Sequence, residues 1–457
     1  MSDLDKIFKA YDIRGVVPDQ LDEDVAEAVG AAFVRLTGAA QLVTLHDMRA
    51  SSAPMAAAVA RGAASQGANV IQGGLGSTDM VYYASGFLDV PGVMITASHN
   101  PAKYNGIKLC RAGAKPVGIE TGLAELKQMV ANGVPPSSAT LPRGTITDKD
   151  LLPGYAAYLK KLVDLSDIRP LKVVVDAGNG MGGYTVPTVF EGLPLGLVPL
   201  YFELDGTFPN HEANPIDPEN LRDLQKAVVE HDADIGLAFD GDADRCFVVD
   251  ERGEIVDPSV LTAMVATREL AREPGATIIH NLITSRAVPE IVTEHGGIPV
   301  RTRVGHSFIK AKMADTNAIF GGEHSGHFYF RDFWYADSGM LAALHTLAAL
   351  GTSDRPLSRL LAEYSRYAQS GEINSEVADQ AATTEVVRSR YAKLPGVTFD
   401  GLDGLTVSGD SWWFNLRPSN TEPLLRLNVE ASNEEEMSAL RDEVLGFVRG
   451  TTERSEY

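Results

Sequence analysis

The chain has 457 residues, 44% apolar and 22% charged, the composition of a globular protein with enough apolar content for several domain cores. Its formal net charge of −21 repels nucleic acid and anionic membrane, so no nucleic-acid or membrane partner is expected. The same field repels phosphorylated ligands, so any anion site has to be a local cluster of Arg and Lys. The two cysteines, Cys110 and Cys246, each adjoin an apolar run and read as buried, reduced thiols. Residues 1–9 lack the apolar stretch of a secretion signal, and no apolar run reaches membrane-spanning length, so the expected location is cytoplasmic.

Residues 22–36 and 51–66 read as helices, the first opening on acidic side chains and the second on a Ser-Ser pair followed by Pro54. Short β-branched runs at 42–46, 68–72 and 92–97 read as strands. Gly133-Val134-Pro135-Pro136-Ser137-Ser138 marks the approach to a boundary. The pattern restarts with a strand at 171–176, a glycine-rich turn and a helix, then a strand at 196–202, a helix at 218–231 and a strand at 234–239. A third round, from residue 257, alternates helices with strands at 277–281, 298–303 and 318–320. The C-terminal stretch differs, with aromatic and β-branched runs at 411–416 and 424–429 between helices. The expected fold is therefore α/β: three similar α/β domains with mixed, largely parallel sheets at 1–148, 149–252 and 253–366, and a smaller α+β domain at 367–457.

Each unit carries one polar loop where ligands bind in such sheets, beyond the carboxyl ends of the strands. Thr96-Ala97-Ser98-His99-Asn100-Pro101 follows an apolar strand and presents Ser98 in an exposed turn, with His99 beside it and Lys108 further on. A hydroxyl so placed is a candidate phosphoryl or acyl acceptor, or simply part of a turn that redirects the chain. Asp240-Gly241-Asp242-Ala243-Asp244-Arg245 sets three carboxylates at alternate positions on a tight turn, a donor set for Mg²⁺ if it is not a solvated acidic turn. Gly321-Gly322-Glu323-His324-Ser325-Gly326-His327 offers Glu323 and Ser325 to sugar hydroxyls; its two histidines lack a third partner for zinc. Arg417-Pro418-Ser419-Asn420-Thr421-Glu422-Pro423, with Arg426 beyond, has the makings of a phosphate clamp. Tyr11-Asp12-Ile13-Arg14-Gly15 and Val304-Gly305-His306-Ser307 add an arginine near a turn and a histidine between a strand and a helix.

A rival signal is Gly178-x-Gly180-x-x-Gly183, which follows a strand, opens a helix and has Glu203 further on. It matches the dinucleotide fingerprint and so suggests a dehydrogenase, a reading that leaves the other loops without a purpose.

Taken in order, the loops at 96–101, 240–245, 322–326 and 417–423 closely resemble those of the α-D-phosphohexomutases, over essentially the whole chain. Gly-Glu-His-Ser-Gly-His and Arg-Pro-Ser-Asn-Thr-Glu-Pro are most similar to the phosphomannomutase/phosphoglucomutase branch, with the phosphoglucosamine branch as the alternative. The resemblance implies four domains around a central active-site cleft, one loop from each. It makes Ser98 the phosphoserine, and makes Ser98, Asp240, Asp242 and Asp244 the ligands of Mg²⁺. Glu323 and Ser325 then contact the sugar, and Arg417, Ser419, Asn420 and Thr421 grip the distal phosphate. Arg14, Lys108, Arg245 and His306 fall near the reacting phosphate or serve proton transfer. The implied reaction interconverts hexose 1-phosphate and hexose 6-phosphate, of mannose and glucose, through a hexose 1,6-bisphosphate. The implied partners are small-molecule hexose phosphates, and the enzyme would be a monomer or homodimer. One departure is Leu45-His46-Asp47 where relatives often carry Gly-Arg-Asp, although Arg49, Ser51 and Ser52 fit.

Overall fold

A computed structural model describes residues 4–135, 142–419 and 424–450. Residues 136–138 of the expected boundary, and Asn420 and Thr421 of the expected clamp, lie outside the described residues.

In the first sheet, Asn69–Leu75, Gln41–His46 and Gly92–Ile95 lie side by side and parallel, and Ile146–Asp148 extends the parallel edge. Tyr104–Arg111 then returns antiparallel against Gly92–Ile95, and Ile13–Val16 pairs antiparallel beyond it. The second sheet sets Leu195–Leu200, Leu171–Asp176 and Ile235–Phe239 parallel, with Cys246–Asp250 antiparallel on the last. The third repeats the plan: Ile298–Thr302, Thr277–Asn281 and Phe320–Gly322 are parallel and Phe328–Phe330 returns antiparallel. The central strands are buried on both faces, which is why they read as continuous apolar runs; Ile235–Phe239 is buried at every position. Flanking helices begin on capped residues: Asp22 accepts from the Val25 amide, and Asp257 from the Ser259 amide.

The return strands were not among the expected elements. In each α/β unit the functional loop joins the end of a parallel strand to an antiparallel partner, not to a helix. Lys108 thus sits on a strand in register with Met94, beside the serine loop. The second sheet also runs past residue 252, because the turn around Gly253 (φ 82°) brings Ile255–Val256 back against Cys246–Asp250.

The C-terminal sheet is antiparallel throughout, with Leu424–Ala431 between Ala368–Glu376 and Trp412–Pro418. Its core, including Phe414, Leu427 and Val444, is separate from the large core that the first three units share. A small apolar cluster of Leu282, Ile283 and Trp413 joins it to the third unit. Polar contacts add to it, with the Arg286 amide donating to Glu430 at 3.1 Å and the Val304 amide to Asp403 at 3.2 Å.

Candidate active site

Ser98 lies just beyond the strand Gly92–Ile95 with φ 51°, in the left-handed region that L-residues avoid. Its amide donates to Thr96 Oγ1 at 2.9 Å, and the turn closes through the Asn100 amide on the Ala97 carbonyl. The serine is only 4% exposed, not the open turn expected, because the acidic loop of the second unit lies against it. An added Cβ on Gly241 would stand 2.4 Å from the Ser98 carbonyl oxygen, so only glycine allows this approach.

A residue without an expected role holds the serine loop from behind. Arg49, 3% exposed, donates through Nη2 to the carbonyls of Ser98 (2.8 Å) and Asn100 (2.6 Å), and through Nη1 to those of Pro101 (3.0 Å) and Tyr104 (2.9 Å). Its Nε pairs with buried Asp47 at 3.2 Å, and Asp47 also accepts from Ser52 Oγ at 2.5 Å. Spacing in the sequence marks Arg49, but the carbonyls it serves are some fifty residues away, so its task is invisible there.

Asp240 Oδ2 accepts from Ser98 Oγ at 2.8 Å and from Arg245 Nε at 2.9 Å. Asp242 Oδ2 accepts from Thr78 Oγ1 at 2.5 Å and from Lys108 Nζ at 2.7 Å, and Asp244 Oδ2 from Lys108 at 2.7 Å. One oxygen from each of the three carboxylates lies within 4.8 Å of the others. Asp242 Oδ1 and Asp244 Oδ1 are buried with no hydrogen-bond partner among the described residues. Burial raises the Asp240 carboxyl above its usual range, and the neighbouring carboxylates add to the rise against the Arg245 charge. Buried, converging oxygens with unspent lone pairs fit a hard divalent cation.

Burial opposes charge on Lys108, but Asp242 and Asp244 outweigh it and raise its pKa. In this arrangement it brings a fixed positive charge to the serine rather than a free base. Two neutral imidazoles stand nearby instead. His99 Nδ1 lies 3.1 Å from Ser98 Oγ, and burial lowers that histidine well below its ordinary range. His306 opens the helix His306–Thr316 with its ring edge-on to Tyr11 at 4.7 Å; burial and then the Lys310 charge push it down to about 3. Arg14 is held by Asp12 and Asn100. Ser98, Lys108, Arg245 and His306 line one cavity of about 260 Å³ together with His327, which the sequence reading had not placed among the site residues.

His327 Nδ1 lies 2.9 Å from Ser325 Oγ, and its Nε2 is 3.7 Å from Asp244, which ties the sugar loop to the acidic loop. Glu323 is buried and oriented by Tyr329 Oη (2.5 Å) and Asn281 Nδ2 (3.0 Å), partners separated from it by 6 and 42 residues. The Gly305 amide also donates to Glu323 Oε2 at 3.4 Å, so of a carboxylate's roughly four acceptor positions about one remains for a hydroxyl. Across the cleft, Arg417, Ser419 and Arg426 line a space of about 990 Å³ that also reaches Tyr11, Arg14 and His99. Those three residues border both cavities, so the Ser98 and Arg417 ends belong to one continuous cleft.

The glycine-rich turn at 178–183 is a buttress. A Cβ on Gly180 would meet the Gly241 carbonyl at 2.7 Å and one on Gly183 the Phe202 carbonyl at 2.3 Å, while the Met181 amide donates to Gly241 O at 2.9 Å. Gly180 lets the turn pack under the acidic loop and Gly183 lets it pack against the Phe202 backbone, which accounts for both without a dinucleotide.

The family models for alpha/beta/alpha domains I, II and III of phosphoglucomutase/phosphomannomutase match residues 5–133, 153–253 and 257–367, and that for the C-terminal domain matches 372–446. A protein of Xanthomonas campestris named "Phosphohexose mutases" is 41% identical over 447 residues, 97% of this chain and 99% of that protein. A phosphomannomutase of Escherichia coli is 38% identical over 451 residues, again 97% and 99%. Among solved structures, a phosphoglucomutase/phosphomannomutase family protein of Burkholderia thailandensis has a TM-score of 0.89 at 32% identity, over 100% of this chain and 99% of that one.

Proposed function

The chain belongs to the phosphoglucomutase/phosphomannomutase family and is an isomerase of the phosphohexomutase type, and from that premise we propose that phosphorylated Ser98 exchanges a phosphoryl group with O1 or O6 of mannose and glucose phosphates. The observation that carries this reading is Ser98 Oγ at 2.8 Å from a buried Asp240, with Lys108 and Arg245 lining the same cavity and Arg417 at the far end of one cleft.

Phosphoryl transfer asks for alignment and positive charge more than for covalent help. Arg49 fixes the Ser98 backbone, and Lys108, Arg245 and Arg14 face the charge that develops on the transferred group. Asp240, Asp242 and Asp244 would hold Mg²⁺, which when bound offsets charge on the phosphoryl oxygens. His306, in the same cavity as Ser98, assists removal of the hydroxyl proton in one orientation of the sugar. The hexose 1,6-bisphosphate then turns end for end, and Arg417, Ser419 and Arg426 take whichever phosphate is distal; Asn420 and Thr421 belong to the same proposed clamp. Glu323 and Ser325 hold O3 and O4, which keep their place through the reversal and do not report C2, so both epimers are accepted. The free buried thiols fit a cytoplasmic enzyme, which we take to act on small-molecule substrates as a monomer or homodimer.

Ser98→Ala is the test. It should abolish mannose 1-phosphate turnover and the mass increment of a phosphoenzyme; near-native turnover sinks the assignment. Comparing kcat/KM for mannose, glucose and glucosamine 1-phosphates separates this reading from a phosphoglucosamine mutase, which would favour the amino sugar.

A further inference from the structure

The two arginines of the clamp create an electrostatic problem that the fold answers with a third residue. Arg417 and Arg426 are direct cross-strand partners on Trp412–Pro418 and Leu424–Ala431. Like charges opposite each other destabilise a strand pair. The third strand, Ala368–Glu376, changes register between Gln369 and Glu372, with Gly371 at φ 66° and Ser370 Oγ accepting from the Val429 amide at 3.0 Å. Beyond this bulge Glu372 is set between the two guanidiniums. Its Oε2 accepts from Arg417 Nη2 at 3.0 Å, and its Oε1 lies 3.5 Å from Arg426 Nη1. Both arginines keep a buried Nε with no hydrogen-bond partner among the described residues. The pair therefore has donors to spare, yet its charge is half neutralised.

We propose that Glu372 is a positioning residue that competes with the distal phosphate for Arg417 and Arg426, and so weakens the clamp enough for the bisphosphate to leave it in mid-turnover. The inference rests on the function proposed above, in which each phosphate must be gripped, released and gripped again. With Glu372 in place the trio carries a single positive charge, and an arriving phosphate dianion has to share both guanidiniums with a carboxylate. When the phosphate leaves, the carboxylate takes up the vacated donors, so the opened clamp is never a bare pair of cations. The cleft is lined as well by Lys6, Lys9, Arg14 and Arg303 and by Asp12 and Asp403, and Glu372 is a carboxylate in contact with both clamp arginines.

Glu372→Gln keeps the shape and an acceptor oxygen but removes the charge. Calorimetric titration of inorganic phosphate into wild type, Glu372→Gln and Arg417→Ala, at fixed low ionic strength, reads the clamp without catalysis. Glu372→Gln should bind phosphate about tenfold more tightly, and Arg417→Ala should lose most of the binding. In steady state Glu372→Gln should lower KM and kcat together, because release becomes slow; a residue with only a structural role would raise KM or leave it alone. Unchanged or weaker phosphate binding by Glu372→Gln, or tighter binding with unaltered kcat, overturns the role of Glu372 while the clamp stands. Equal binding by wild type and Arg417→Ala overturns the clamp and the role of Glu372 with it.

Discussion

Ser98 Oγ donates to Asp240 Oδ2 across 2.8 Å, joining loops 142 residues apart in the chain. The Ser98 side chain of one domain is therefore positioned by the acidic turn of the next. Two oxygens of that turn, Asp242 Oδ1 and Asp244 Oδ1, are buried without partners among the described residues.

A divalent cation should therefore stabilise the folded protein as well as support turnover. Mg²⁺ at 100 times its dissociation constant should add about 2.7 kcal/mol, read as a rise in Tm. Asp242→Asn should cancel most of the rise, and excess chelator should abolish turnover; a Tm indifferent to Mg²⁺ in both proteins contradicts the assignment.

Arg49 should matter more to rate than to binding. Arg49→Ala strips four loop carbonyls of a donor and leaves Asp47 buried and unpaired, at a cost of about 3–5 kcal/mol in urea unfolding. Arg49→Lys keeps the charge but not the planar fork. It should recover much of the stability while kcat stays about a hundredfold down with KM little changed. Full recovery of kcat by lysine would reduce Arg49 to a structural residue.

Gly241→Ala forces a methyl group to 2.4 Å from the Ser98 carbonyl. The loops must part, which should cost about 1–3 kcal/mol and displace Ser98 from Asp240. Chemical unfolding and kcat measured on the same preparation check both effects; a variant as stable and as fast as wild type would show that the loops are not in contact.

Acid should unfold the protein partly through buried imidazoles. His345 is stacked on Phe330 at 5.2 Å, and burial, then the Arg268 and Arg272 charges, hold it down to about 3 against an ordinary 6.5. The unfolded chain thus binds a proton between those values that the folded chain refuses. Its stabilising contribution is whole above pH 6.5 and is lost as pH falls toward 3, at up to about 1.4 kcal/mol per pH unit. His345→Phe should lose about 1–2 kcal/mol less than wild type between pH 6.5 and 5, measured by urea unfolding at each pH. Parallel losses in the two proteins would contradict a buried neutral His345.

Much of the molecule was legible in the chain. Strands such as Leu171–Asp176 and Thr277–Asn281 coincide with their expected spans, because their buried centres, Val173-Val174-Val175 and Ile278-Ile279, are short β-branched runs. The convergence of Asp240, Asp242 and Asp244 was legible for a different reason: carboxylates at alternate positions on a tight turn are a local pattern. The return strand Tyr104–Arg111 was not, since Lys108 and Asn105 interrupt its apolar pattern for the sake of contacts elsewhere in the fold.

By itself, then, the sequence determined which chemical groups are present, in what order, and that each α/β unit would present one polar loop at a strand end. Those follow from side-chain chemistry and from periodicities of a few residues. Only the tertiary structure decided that Ser98 is enclosed rather than exposed, that Lys108 is held as a cation by Asp242 and Asp244, that Arg49 carries the serine loop, and that Glu372 stands between Arg417 and Arg426. Each is an electrostatic or steric contact between segments far apart in the chain, where distance and burial, not residue type, set the energy.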